Sequence, residues 1–163
     1  MNSLEEFYWW IEDLPLSIAI GSTWIYPLLE SIHVLAAVMV FGAIFTVDLA
    51  LLGIAAQSYS IQRLVKELVT WSVVAFVIAV ITGVGMFITR VSGYLTNDAF
   101  LWKLFLLLIA GLNIFIFHRW ILPSLSVLEG AGKEPLRARL SGGLSLLLWA
   151  GVMLAGRWIG HLV

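Results

Sequence analysis

The stretch IHVLAAVMVFGAIFTVDLALLGIAA, residues 32–56, carries one carboxylate, Asp48, and one imidazole, His33, in an otherwise almost wholly apolar run. A helix needs about 20 such residues to cross the hydrocarbon core of a bilayer. Three further stretches satisfy that length. Residues 68–88 hold no charge; residues 100–122 have Lys103 near the start and His118 and Arg119 near the end; residues 140–162 contain Arg157. The four together predict an all-α integral membrane four-helix bundle in contact with lipid. Composition points the same way: of 163 residues 61% are hydrophobic and 12% charged, against roughly 25% charged in soluble domains.

Polar connections separate the spans at residues 57–67, 89–99 and 123–139, the last containing EGAGKEP. Each is short enough to make successive helices antiparallel. Four spans leave both termini on one side, here side A, with the first and third connections on side B. Side B collects Arg63, Lys66, Arg119, Lys133, Arg137 and Arg139, whereas side A holds Arg90, Lys103 and Arg157. The excess of basic residues predicts that side B is cytoplasmic. Both termini are then expected on the periplasmic side of a bacterial inner membrane.

Residues 1–26 are expected to form a unit of their own before the transmembrane domain at 27–163. Ser3 and Glu6 make a capping box, and Leu4, Phe7, Tyr8 and Ile11 share one helical face. The spacing predicts an amphipathic helix in the interface, with Trp9 and Trp10 at headgroup depth and Glu5, Glu6, Glu12 and Asp13 towards water. Two glutamates near the start argue against a secretory leader. Residues 16–26 are too short to cross and are expected on or in the outer leaflet, with Pro27 opening the first span.

A net charge of −1 gives no reason to expect a nucleic-acid partner. The absence of cysteine excludes disulfides, thiolate metal sites, covalently attached haem and cysteine-ligated iron–sulfur clusters. Ionisable residues inside the spans are therefore the place to look for chemistry. Glu30, His33 and Asp48 share one face of the first span, with Asp48 about 22 Å further along than His33. Arg157 and His161 share a face of the fourth span near side A. His118 lies about 24 Å below Trp102 and so belongs to side B.

A bis-imidazole haem needs two histidines at similar depth on facing helices, which selects His33 and His161 as the candidate axial pair. Arg90, Lys103 and Arg157 are placed to neutralise propionates, and Met86, one turn before Arg90, is a substitute ligand. The bland alternatives are an interfacial role for His161 and His118, a snorkelling Arg157, and an Asp48 that only fastens helices. Glu30 and His33 also match the Glu-x-x-His spacing of di-iron bundles, yet those need two such motifs. Gly156 and Gly160 form a G-x-x-x-G suited to a partner helix or a flat cofactor.

The stretches at residues 31–53, 100–118 and 144–161 resemble those of a bacterial group of small four-helix membrane proteins. More distantly, the early histidine of the first span and the Trp102-Lys103 start of the third are similar to copper-resistance D membrane proteins and the J-type membrane protoporphyrinogen oxidase. The oxidase resemblance implies haem b with His33 as a ligand. The oxidase's histidine near the start of its third helix has no counterpart, because Trp102 is followed by Lys103. A copper-transport role would favour methionine and cysteine ligands, and the chain has four methionines and no cysteine.

The sequence thus predicts a haem-b-binding protein that passes electrons between a periplasmic-side redox partner and quinone, as a possible subunit of a larger membrane complex. Two alternatives stand beside it. One is a cofactor-free structural or assembly subunit, and the other a small transporter using Asp48, Glu30 and His33.

Overall fold

The computed structural model describes residues 3–54, 61–125 and 135–161. In chain order these form α1 (Ser3–Glu12), α2 (Pro15–Gly21), α3 (Ile25–Leu51), α4 (Ile61–Phe87), α5 (Val91–Leu95), α6 (Asp98–Ile116), a π-helical turn (Phe117–Ile121), α7 (Leu122–Leu125), α8 (Leu136–Trp158) and a closing 3-10 turn (Ile159–His161). Four helical stretches are long and apolar enough to cross a bilayer: α3, α4, α6 continued through α7, and α8 continued through the 3-10 turn. The chain is an all-α, multi-pass membrane bundle.

Each span is offset from its hydropathy because local chemistry sets the ends. Helix α3 starts at Ile25 rather than after Tyr26, since Pro27 falls in the first turn, where N–H groups have no intrahelical acceptor. It stops at Leu51 because Gly53 takes a positive φ of 75°. There the Ile54 N–H donates to the Leu49 carbonyl at 3.0 Å and the Gly53 N–H to Ala50 at 2.9 Å, a Schellman closure. Helix α4 begins at Ile61, so residues expected in the first connection are helical. Ala55, Ala56, the remainder of that connection, Leu162 and residues 126–134, with Lys133, lie outside the described residues.

At its start, α6 is capped by Asn97, whose side chain accepts from the Phe100 N–H at 3.1 Å and donates to the Ile159 carbonyl at 3.2 Å. One residue thereby ties the start of the third span to the end of the fourth. The far end of α6 widens into the π turn, with the Leu122 N–H reaching the Phe117 carbonyl. Pro123 follows immediately and brings no N–H of its own, and a wide turn accommodates its ring without breaking the helix.

On side A, α1 packs on α5, and α2 on α3 and α4, and one N-terminal side chain departs from its expected place. Glu12 does not face water; its carboxylate accepts from the Ser92 N–H and hydroxyl, both at 2.8 Å, and so caps the start of α5. A carboxylate is favoured beside the unpaired N–H groups of a helix N-terminus. Tyr94 on α5 meets Tyr26 through their hydroxyls at 3.0 Å. Burial, and then that hydrogen bond, push the Tyr94 hydroxyl above the ordinary phenol range. Phe87 and Phe100 stack with ring centroids 5.6 Å apart, closing α4 against α6 at this end.

The long helices form an open arc. Helix α3 packs along α4 and α8, and α8 along α6, whereas α4 and α6 do not pack along each other. Gly142 permits the closest α3–α8 approach, since a Cβ there would lie 3.0 Å from Leu51 Cβ and 3.2 Å from the Asp48 carbonyl. Asn113 and Ser141 fasten α6 to α8 reciprocally: the amide donates to the Ser141 carbonyl at 3.1 Å and the hydroxyl to Asn113 Oδ1 at 3.2 Å. Such intramembrane bonds each contribute on the order of 0.5–2 kcal/mol.

Candidate functional site: a cavity between α4 and α6

The open arc encloses a cavity of about 500 Å³ in the half of the bundle towards side B. Its walls come from α3, α4, α6 and α8, and they are mostly aliphatic and aromatic. A well-packed apolar cluster of Ile61, Val65, Phe117 and Leu125 closes it towards side B. Another, built from Val40, Ala75, Ala110 and Val152, lies towards side A.

Two of the polar residues in the lining keep an atom without a partner. Asp48 is 4% exposed and Trp149 7%. Asp48 hydrogen-bonds Ser145 on α8, but its Oδ2 has no partner, and neither has Trp149 Nε1. Both residues line the cavity. A buried polar atom without a partner costs about 1–3 kcal/mol. The pair therefore offers a carboxyl oxygen and a donor N–H to whatever fills the space. Ser141, Ser145 and Trp149 recur at four-residue intervals on α8, and that polar stripe is the sequence signal that marks the site alongside Asp48.

His118 also lines the cavity, at its outer edge on the π turn. Its Nδ1–H donates to the Ile114 carbonyl at 3.0 Å, leaving Nε2 unprotonated in the neutral ring. Widened turns of this kind often accompany functional sites. Among the described residues, no Lys or Arg lines the cavity.

The other candidate residues gather elsewhere. His33 projects from α3 onto α4, where its Nδ1–H donates to the Ala79 carbonyl at 2.8 Å and lies 3.2 Å from the Thr82 hydroxyl. Its Nε2 lies 3.4 Å from Lys103 Nζ on α6. Lys103 in turn runs past Gly156 of α8, where a Cβ would stand 3.7 Å from Nζ. All four spans thus converge on one polar contact, His33 with Lys103. Met86 is buried on α4, Arg90 is exposed in the bend before α5, and Glu30 is exposed at the outer end of α3. Arg157 and His161 are exposed at the end of α8 and on the 3-10 turn.

The fit of a haem to His33 follows from these contacts. A carbonyl-bound Nδ1–H leaves Nε2 with the lone pair a metal requires. That lone pair points at Lys103, and the ring edge at Cε1 lies 3.2 Å from where a Gly83 Cβ would stand. An iron would reach Nε2 only if Lys103 withdrew. No contact joins His33 to His161 among the described residues, and no cluster of three or more metal-ligating side chains is found among them. Of Glu30, His33 and Asp48, only Asp48 reaches the cavity.

A family model described as "Family of unknown function (DUF6644)" matches residues 7–162, so that α3, α4, α6 and α8 all fall within the match. No curated protein and no solved structure matches the chain.

Proposed function

The chain belongs to the DUF6644 family, and from that footing we propose that it is a membrane-embedded binding protein for a lipid-soluble molecule with a polar head. The observation that carries this reading is that the two buried polar side-chain atoms without a partner among the described residues, Asp48 Oδ2 and Trp149 Nε1, belong to one apolar cavity of about 500 Å³. Ligand pockets are typically about 300–1,000 Å³, mostly apolar, with a few converging polar groups. The cavity belongs to the side-B half of the bundle. By the distribution of basic residues that half is the cytoplasmic leaflet of a bacterial inner membrane, with both termini periplasmic. In this reading the His33–Lys103 contact fastens α3 to α6, and the buried polar pairs are the scaffold of the cavity.

The test is organic extraction of the purified chain followed by mass spectrometry. Close to one lipophilic molecule per chain is expected from the wild type. Ala43, half-buried in the cavity wall, gives the matching variant: Ala43→Trp fills the space and should lose that molecule while keeping helix content. Identical extracts from the two proteins would overturn the reading.

A second reading is haem b on His33, for electron transfer between a periplasmic-side redox partner and quinone. It is favoured by the Nδ1–H bond to Ala79, which orients Nε2 as a ligand. Protein purified from haem-replete cells would show a reduced alpha band in its absorption spectrum, lost in His33→Ala. A featureless spectrum removes this reading and leaves the first untouched.

A further inference from the structure

We infer that the ligand of this cavity is of the quinone or quinol class and enters sideways from the bilayer, through a window between α4 and α6. The inference rests on the binding role proposed above and specifies its ligand and its route.

The window follows from the packing order. Helices α4 and α6 are the ends of an arc, held together on side A by the Phe87–Phe100 stack and on side B by the cluster of Ile61, Val65, Phe117 and Leu125. Between those closures the cavity-lining residues include three large apolar side chains that also face the bilayer: Val73 at 55% exposure, Phe76 at 43% and Phe115 at 59%. The cavity wall on α4 runs from Val65 to Phe76, about 17 Å at 1.5 Å per residue. A transmembrane helix from a partner would need a groove along the whole hydrocarbon core of about 30 Å. The opening admits a tail, and closes off a helix at both ends.

The head is constrained by charge and by donor count. With no Lys or Arg among the described lining residues, and His118 only at the exposed outer edge, a phosphate or a carboxylate beside Asp48 would be buried without a fixed counter-charge, which is strongly unfavourable. A neutral oxygen-bearing head fits instead. Trp149 Nε1–H is a donor only, so it requires an acceptor such as a carbonyl or hydroxyl oxygen. The Asp48 carboxyl pairs with a carbonyl when protonated and with a hydroxyl when ionised. A quinone supplies carbonyls and its quinol hydroxyls, on a flat ring suited to walls carrying Phe76, Phe117 and Trp149. Its tail would leave past Phe76 and Phe115 into lipid.

Gly111 makes the route testable. It lines the cavity, and a Cβ added there would meet nothing within 4 Å. Gly111→Phe therefore puts a ring at the window without a backbone clash. Gly42 is equally open but does not line the cavity, so Gly42→Phe is the matched control. The full chain is reconstituted in phosphatidylcholine nanodiscs and labelled with a photoreactive short-tailed quinone, with unlabelled quinone as competitor.

Competed labelling of the peptides bearing Asp48 and Trp149 is expected, with little in Gly111→Phe and wild-type levels in Gly42→Phe. Trp149→Phe removes one donor and should weaken competition by about five- to ten-fold. Should that variant fail to fold, the Gly111→Phe arm still decides. Uncompeted labelling spread over lipid-facing peptides overturns the quinone assignment; if extraction then yields a different stoichiometric lipophile, the binding role stands without it. Wild-type labelling of Gly111→Phe overturns the lateral route.

Discussion

At the residue scale, the chain spends its few intramembrane polar groups unevenly. Asn113, Ser141, Thr82 and His33 are satisfied by protein partners, whereas Asp48 and Trp149 each keep an atom unpaired. Satisfied groups fasten helices; unpaired ones mark the cavity. Tyr94 gives a residue-level prediction outside the spans. Its hydroxyl is held above the ordinary phenol value by burial and then by Tyr26, so its neutral form is favoured in the folded state. The resulting stability is fully present below about pH 10, the unfolded value, and is lost as pH rises through the folded one. An alkaline titration followed by ultraviolet absorbance should show one tyrosine ionising late, and that late step should vanish in Tyr94→Phe. Four ordinary phenol titrations in the wild type would contradict the burial.

At the scale of elements, the helices were largely legible because an uninterrupted apolar run has one acceptable conformation in lipid. Their ends were less so. The earlier start of α4 places polar Gln62, Arg63, Lys66 and Glu67 on a helical turn, where Arg63 Nε pairs with Glu67 at 2.9 Å across i, i+4, a pairing that hydropathy does not register. The π turn before Pro123 is visible in sequence only as a proline late in a span. Gly83 tests how tightly α3 and α4 are fitted, since a Cβ there would lie 3.2 Å from His33 Cε1 and 3.4 Å from Nδ1. A ring held by Ala79 and Lys103 yields little, so Gly83→Ala should destabilise by about 1–3 kcal/mol. Gly111→Ala, with open space around it, should be neutral or slightly stabilising. Thermal unfolding of the two variants in one detergent measures the contrast; equal midpoints would mean that the contact is looser than the geometry shows.

At the scale of the whole molecule, orientation and openness matter together, because they decide which leaflet the cavity serves. The chain has no cysteine, so single cysteines report topology cleanly. Ser3→Cys should react with a membrane-impermeant maleimide added to spheroplasts, and Arg137→Cys only after lysis. The reverse pattern would place the cavity in the other leaflet. Sequence alone determined that the chain carries four helices able to span a bilayer, that a short helix precedes them, and which few ionisable residues lie within the spans. These follow from the cost of exposing backbone and charge to lipid, which is local to each segment. Sequence could also place His118 near side B and His33 and His161 in the half towards side A, since rise per residue is fixed. It could not show that His33 faces Lys103, that Asp48 looks into the same space as Trp149, or that α4 and α6 stand apart. Those depend on the rotation of each helix about its own axis and on packing order around the bundle. In lipid both are set by small-residue contacts such as Gly142 against Leu51 and by single hydrogen bonds, and these exist only once the helices have met.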